Sequence, residues 1–424
     1  MESALTAAEK VLAPLPELSP DVEEMYEDLH RHPELGFQEV RTAGIAARSL
    51  RACGYGVHEG VGGTGVVGLL RNGEGPVVLL RADMDGLPVA EDTGLDYAAT
   101  DATGVREGRR VPVMHACGHD VHVACLVGAA RLLARSRDHW SGTVVALFQP
   151  AEELGTGARA MVEDGLYERV PRPDAVLAQH VSPLAAGHAA YCPGESMAAS
   201  DEVRITFHGV GGHGSRPEAA NDPVLTAAAF VLRVQMVVSR EIPARERAVL
   251  TVGSITAGEA ANVIPETAEV ALNVRSFDPA VRERILASVE RIARAESDAA
   301  GAPRHPDVRH TGGFPLTRND DVLMEKVNAA LRARLGEDRV HEIGPVTGSE
   351  DVQYIADAAG APLYYWWLGG WEPEEFLRAY RAGTADRDIP ANHSPRFAPV
   401  RRPTLDTGVA AMAVAALSCL ASAD

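Results

Sequence analysis

Glu152 and Glu153 stand in tandem after Gln149-Pro150-Ala151, and Cys117 and His119 flank Gly118. Single histidines follow at His180 and, within Asn392-His393-Ser394-Pro395, at His393. Thiolate, imidazole and carboxylate together suit zinc or a similar borderline divalent ion. With only a glycine between them, Cys117 and His119 can turn toward one centre. In a Glu-Glu pair one carboxylate can bind metal while its neighbour takes a proton from water, whose pKa a metal lowers toward about 7. Each feature alone has a plainer reading. Cys117 could be a buried cysteine beside a surface histidine. Glu152-Glu153 could be an acidic helix start favoured by the helix dipole. His180 could be a hydrogen-bonded core histidine and His393 a loop residue. Asp83 and Asp85 could belong to a turn before Gly86 and Pro88. Gly211-Gly212-His213-Gly214 could be a glycine turn. Their joint order along the chain is what points to one site.

The elements that must position them are legible in outline. Val77–Leu80, Thr143–Phe148 and Ala175–Ala178 are short continuous apolar runs, separated by helical stretches such as Val121–Ala134. That pattern predicts a mainly parallel sheet covered on both faces. In such sheets ligands bind beyond the carboxyl ends of the strands. Asp83, Asp85, Glu152, Glu153 and His180 follow strand runs, and Cys117 and His119 precede a helix. The middle of the chain reads differently. Val203, Ile205 and Phe207 alternate with polar residues, Asp222–Val238 has helical spacing, and Val249–Ile255 and Thr267–Arg275 read as strands. A second helix has Asp278 as N-cap and Pro279 at its first position. This β-α-β-β-α order predicts a ferredoxin-like unit at residues 199–310, inserted into a larger α/β domain formed by residues 1–198 and 311–424.

Length and charge narrow the function classes. The 424 residues exceed one compact core. The net charge of −19 argues against nucleic acid or an anionic membrane as the main partner. The stretch from Met1 to Pro20 lacks the apolar core of a secretory signal. The Ala-rich run from Gly408 to Ala421 is too short to span a bilayer and reads as a buried helix. The 5 cysteines are scattered and odd in number, which suits a reducing cytoplasm better than a disulfide framework.

Arg81-Ala82-Asp83-Met84-Asp85-Gly86-Leu87-Pro88, His115-Ala116-Cys117-Gly118-His119-Asp120, Gln149-Pro150-Ala151-Glu152-Glu153, Gln179-His180, Gly211-Gly212-His213-Gly214 and Asn392-His393-Ser394-Pro395 resemble the M20 metallopeptidase family. They look most like its amidohydrolase branch of N-acyl-amino-acid, hippurate and auxin-conjugate hydrolases. The resemblance runs from about His30 to Phe397. It implies a zinc-peptidase-like catalytic domain and an inserted lid that commonly forms a homodimer or higher homo-oligomer. It implies two divalent metal ions (Zn, Mn, Co or Ni) bridged by Cys117, where peptidase members use aspartate. His119 and His180 would complete one metal site, Glu153 and His393 the other. Glu152 would be the general base, and His213 would stabilise the oxyanion or hold substrate. Asn262 and Arg275 match lid positions that hold a substrate carboxylate. The family's peptidase branches have His-x-Asp where this chain has Asp83-Met84-Asp85, so Asp83 reads as a residue behind the ligands and the role of Asp85 stays open.

These readings predict hydrolysis of an N-acyl amino acid or related N-acyl amine in the cytoplasm. The rivals are a dipeptidase or other exopeptidase, and a non-catalytic metal- or ligand-binding protein. Three segments are less settled. Ala102–Val113, with Arg106, Arg109 and Arg110, and Gly370–Pro390 read as extended, charged segments that could border the pocket. Gly348-Ser349-Glu350-Asp351 resembles a family segment opening a helix, for which capping is a sufficient account.

Overall fold

The computed structural model describes residues 2–421, which divide into two compact units. The first comprises residues 1–196, 318–344 and 351–424, so both ends of the chain build it; the second comprises 197–317 and 345–350.

An eight-stranded sheet organises the first unit. Its strands in chain order are β1 (Gly56–Val61), β2 (Gly65–Asn72), β3 (Val77–Asp83), β4 (Gly142–Gln149), β5 (Ala175–Ala185), β6 (Ala189–Tyr191), β7 (Val340–Glu342) and β8 (Leu363–Trp371). The spatial order is β1-β2-β4-β3-β5-β8-β6-β7. The central run from β4 to β8 is parallel throughout, as is β6 with β7. The pairings of β1 with β2, β2 with β4 and β8 with β6 are antiparallel, so the sheet is mixed at its flanks. The three strands read from continuous apolar runs, β3, β4 and β5, all lie in this parallel run. All eight residues of β4 are buried, as strands covered on both faces must be.

Two helices form much of the cover. His119–Arg135 carries its first residue into the candidate site and is buried along nearly its whole length. Arg401–Cys419 contains most of the Ala-rich run, and Leu405 and Val409–Ala416 are buried. The two pack closely through glycine: a Cβ on Gly408 would lie 2.5 Å from Cys125 Sγ, and one on Gly128 would lie 2.6 Å from Val409 Cγ2. The basic stretch read as an extension is a hairpin, Thr103–Arg106 against Arg109–Pro112. Gly370–Pro390, the other segment read as an extension, holds the helix Pro373–Ala382.

The second unit is built as β-α-β-β-α-β. Its strands Ala199–His208, Ala248–Ala257, Thr267–Ser276 and Asp307–Phe314 form an antiparallel sheet, with helices Pro223–Val234 and Pro279–Ala299. Thr267–Ser276 and Ala199–His208 are central, and Ala248–Ala257 is an edge strand. This is the ferredoxin-like order. Asp222 and Asp278 both cap helices, accepting from Val224 N–H and Val281 N–H, with proline at the first position of each helix. Val203, Ile205 and Phe207 meet Phe230, Val270, Ile285 and Val289 in a separate apolar core. The stretch Pro223–Glu241 is long and apolar enough to cross a membrane by length and composition. Its Thr226, Ala227, Phe230 and Val234 are instead committed to that core.

Candidate metal centre

The sheet ends where the chemistry begins. Asp83 is the last residue of β3, paired with Gln149 at the end of β4. Beyond Ala178, β5 has no further partner on β3 and continues beside β8, with His180 opposite Trp367. His180 therefore sits within its strand, at the point where the neighbouring strand has stopped.

Local backbone then aims the side chains. Gly118, in the left-handed region at φ 79°, lets the chain turn between Cys117 and His119, and a Cβ there would lie 2.3 Å from Val181 Cγ1. His119 opens the helix that follows. Ala151 is also left-handed (φ 48°), and after it Glu152–Leu154 make a single 3-10 turn. His393 has φ 71°, and its N–H donates to Ala116 O at 2.7 Å. Non-glycine residues in this region are strained and persist where the surroundings over-determine them. Asn392 Nδ2 donates to Cys117 O at 3.2 Å and to Val181 O at 3.1 Å, fastening the His393 segment to the cysteine loop.

The proposed ligands converge. Cys117, Glu153 and His393 place donor atoms within 4.8 Å of one another, and so do His119, Glu152 and Glu153. Cys117 Sγ lies 3.5 Å from His180 Nε2, and His393 Nε2 lies 3.3 Å from Glu153 Oε1. Each buried imidazole is held by its other nitrogen, as metal-ligating histidines are. His119 Nδ1 meets Asp85 Oδ1 at 3.2 Å, and His180 Nδ1 donates to Val181 O at 2.7 Å. His119 Nε2 and Glu153 Oε1 are buried without a hydrogen-bond partner, 3.9 Å apart. Buried polar atoms are nearly always satisfied, so this pair is arranged for something else to bind.

The electrostatics agree. Burial, with Glu153, Glu152 and Asp83 adding to it, pushes the Cys117 thiol well above its usual range. A divalent ion is what makes a thiolate of such a group. Burial and the neighbouring His122 hold His180 well below the usual imidazole value, so it is neutral and ready to coordinate. Burial opposes charge on His119, but Asp83, Asp85 and Glu153 prevail and raise it to about 10. The carboxylates around it thus demand positive charge, and the donor set fits divalent metal.

Two roles left open by the sequence are given by contacts. Asp85 accepts the N–H groups of Glu152 and Glu153, both at 3.1 Å, as well as holding His119. Asp83 takes Arg81 Nη1 at 2.6 Å and His122 Nδ1. His122 Nε2 in turn accepts Val181 N–H at 2.7 Å. Both nitrogens of His122 are therefore engaged, which leaves it no lone pair for a metal although its ring lies beside those of His119 and His180. Sequence reasoning missed His122 and Asn392. Their proximity to the motifs was the available signal. The capping account of Gly348–Asp351 does not hold. The helix starts at Gln353 with no side-chain cap, and Asp351 instead accepts Gln149 Nε2 at 2.5 Å and Ala158 N–H at 3.0 Å.

In the second unit, a two-residue ribbon pairs His213 with Val263, next to Asn262. Gly214 N–H donates to Asn262 O at 2.8 Å, and a Cβ on Gly214 would crowd Asn262 at 3.1 Å. His213 Nδ1 accepts Ser215 N–H at 3.1 Å, so the ring's proton is on Nε2, available to donate. Arg275 lies on another strand of that unit, with Nη1 donating to Thr347 O at 2.5 Å and Ser349 Oγ at 3.2 Å.

Residues 79–379 match the profile of peptidase family M20/M25/M40. The chain is 35% identical over 344 residues to hippurate hydrolase of Campylobacter jejuni, covering 80% of this chain and 86% of that protein. It is 37% identical over 336 residues to N-acetyl-L-cysteine deacetylase of Bacillus subtilis, covering 78% and 76%. A similar solved structure is the Bacillus subtilis YXEP protein, a dinuclear metal binding peptidase from the M20 family. Its TM-score is 0.74 at 28% identity, covering 95% of this chain and 99% of that one.

Proposed function

The chain belongs to peptidase family M20/M25/M40 and is a metal-dependent hydrolase of amide bonds with two divalent ions, and from that premise we propose that it cleaves N-acyl amino acids. The observation that carries the reading is the convergence of Cys117, His119, Glu153, His180 and His393, with His119 Nε2 and Glu153 Oε1 buried and making no hydrogen bond. Those five residues would hold the two ions. When bound there, the ions would supply Lewis-acid polarisation of the acyl carbonyl and a lowered pKa for water.

Glu152, buried at the site's edge with its N–H held by Asp85, takes the proton from the attacking water at its carboxylate. It then gives that proton to the leaving amine. His213 donates from Nε2 to the developing oxyanion. Asn262 and Arg275 hold the carboxylate of the leaving amino acid, Arg275 after exchanging its Thr347 and Ser349 contacts for the substrate. No disulfide joins the 5 cysteines, which supports a reducing, cytoplasmic setting.

Glu152→Gln tests the base. It keeps shape and should keep both metals, measured per chain by plasma mass spectrometry, while kcat falls by about 10²–10⁴. Retained turnover would sink the assignment. A panel of N-acetyl, N-benzoyl and N-indolylacetyl amino acids against free dipeptides tests the substrate class. Preference for free dipeptides would overturn the deacylase reading in favour of a peptidase.

A further inference from the structure

Glu39 lies far from the metal-site motifs in sequence, at the N-cap of helix Val40–Ala52, yet its side chain makes no cap bond. Glutamate is not among the preferred capping residues, so the position is not explained by the helix it opens. The carboxylate turns the other way and is fully buried. Its Oε1 accepts the N–H of Ala151 at 2.8 Å, and its Oε2 accepts Thr64 Oγ–H at 2.5 Å. Ala151 is the left-handed residue immediately before the Glu152-Glu153 pair.

Three successive N–H groups, of Ala151, Glu152 and Glu153, are thus held by two buried carboxylates, Glu39 on the first and Asp85 on the other two. The like charges are close enough to oppose each other. Burial, with Asp85 adding to it, pushes Glu39 up to about 7. A carboxyl kept at such a place, when an apolar residue would avoid the conflict, has a task there. The rest of the turn is confined to match. A Cβ on Gly36 would lie 3.1 Å from both Ala151 Cα and Cβ, and one on Gly157 would lie 1.6 Å from Pro150 O.

We infer that Glu39 is a positioning residue for catalysis: by holding Ala151 in its left-handed conformation it sets the direction in which the Glu152 carboxylate meets the water. This rests on the reading of Glu152 as the base. Glu39 touches neither substrate nor metal; it acts through the backbone bond that precedes Glu152. The Glu152 carboxylate is a lever on that bond, and displacements of about 1 Å at a reacting group lower rates up to about a hundredfold.

The experiment compares Glu39→Ala, Glu39→Gln, Ala151→Gly and the Glu39→Ala/Ala151→Gly double variant, each as metal-loaded full chain. Glu39→Ala should lower kcat at least about tenfold, with KM within about twofold and both metals retained. Glu39→Gln still accepts from Ala151 N–H and should restore most of kcat. Glycine adopts the left-handed region unaided, so the double variant should recover toward Ala151→Gly alone. The inference is overturned by wild-type kcat in Glu39→Ala, by equal losses in the alanine and glutamine variants, or by a loss that tracks metal content. Should Glu39→Ala not fold, the double variant carries the test. When folded and loaded, a kcat within about tenfold of Ala151→Gly supports the inference and a lower one overturns it. Turnover surviving in Glu152→Gln removes the base and this inference together; an inactive Glu152→Gln beside a fully active Glu39→Ala removes this inference alone.

Discussion

At the scale of residues, the site is a set of atoms oriented by their unused ends. His119 and His180 each present Nε2 because Nδ1 is taken. Behind them lies a layer of hydrogen-bonded polar groups, among them Asp83, Asp85, Asp120 and His122. His30 is the one whose charge is most open to test. It is buried between Asp120 at 2.6 Å and Glu91 at 3.1 Å. Burial opposes its protonation, but the two carboxylates prevail and raise it to about 9. A histidine raised in the folded state stabilises fully below its unfolded value near 6.5, and the stabilisation fades as pH rises through about 9. The shift corresponds to about 3 kcal/mol at most. His30→Gln should therefore lower Tm at pH 6, with the gap to wild type shrinking by pH 9.5 at fixed metal. A gap that stays constant across that range would contradict the assignment.

At the scale of elements, strand identity was legible because burial imposes composition: the runs at Val77, Thr143 and Ala175 are apolar on both faces since helices cover both. The β-α-β-β-α order was legible from alternation and from the Asp278-Pro279 helix start, whereas the closing strand Asp307–Phe314 was not read. What sequence could not supply were partners set by tertiary approach. Asp85 reaches Glu152 across 67 residues and Glu39 reaches Ala151 across 112. Nothing local marks which residue each will meet. The Arg106–Arg110 hairpin was hidden because its charges mask any alternation. The pairing of helices through Gly408 and Gly128 was likewise invisible, since an Ala-rich helix has no stripe to read. It makes a sharp prediction. In Gly408→Ala the methyl would meet Cys125 Sγ at 2.5 Å and Leu368 Cδ2 at 2.8 Å. Such overpacking should destabilise by about 1–3 kcal/mol, read by chemical denaturation. An unchanged midpoint would mean that the helices separate freely.

At the scale of the whole molecule, the second unit exposes what a soluble surface usually hides. Leu225, Leu232 and Met236 are exposed along one helical stretch, as are Val249 and Ile255 on the edge strand Ala248–Ala257. A long edge strand with apolar side chains is a ready template for another chain. A second copy of this chain is the occupant that the lid reading proposes. Sedimentation at micromolar concentration should give a dimer, and Leu232→Glu with Ile255→Glu should give a monomer. A monomeric wild type would contradict this assembly.

The first unit is closed by segments that follow the second unit in sequence. β8 enters the middle of the sheet, His393 completes the ligand cluster, and Arg401–Cys419 covers the helix that begins at His119. A nascent chain that has emerged as far as His180 already carries Cys117, His119, Glu152 and Glu153. It still lacks the strand and helix that bury them and the imidazole that faces Glu153. A chain cut short before residue 393 therefore lacks one proposed ligand together with the helix that covers the others, and it should neither hold both metals nor turn over.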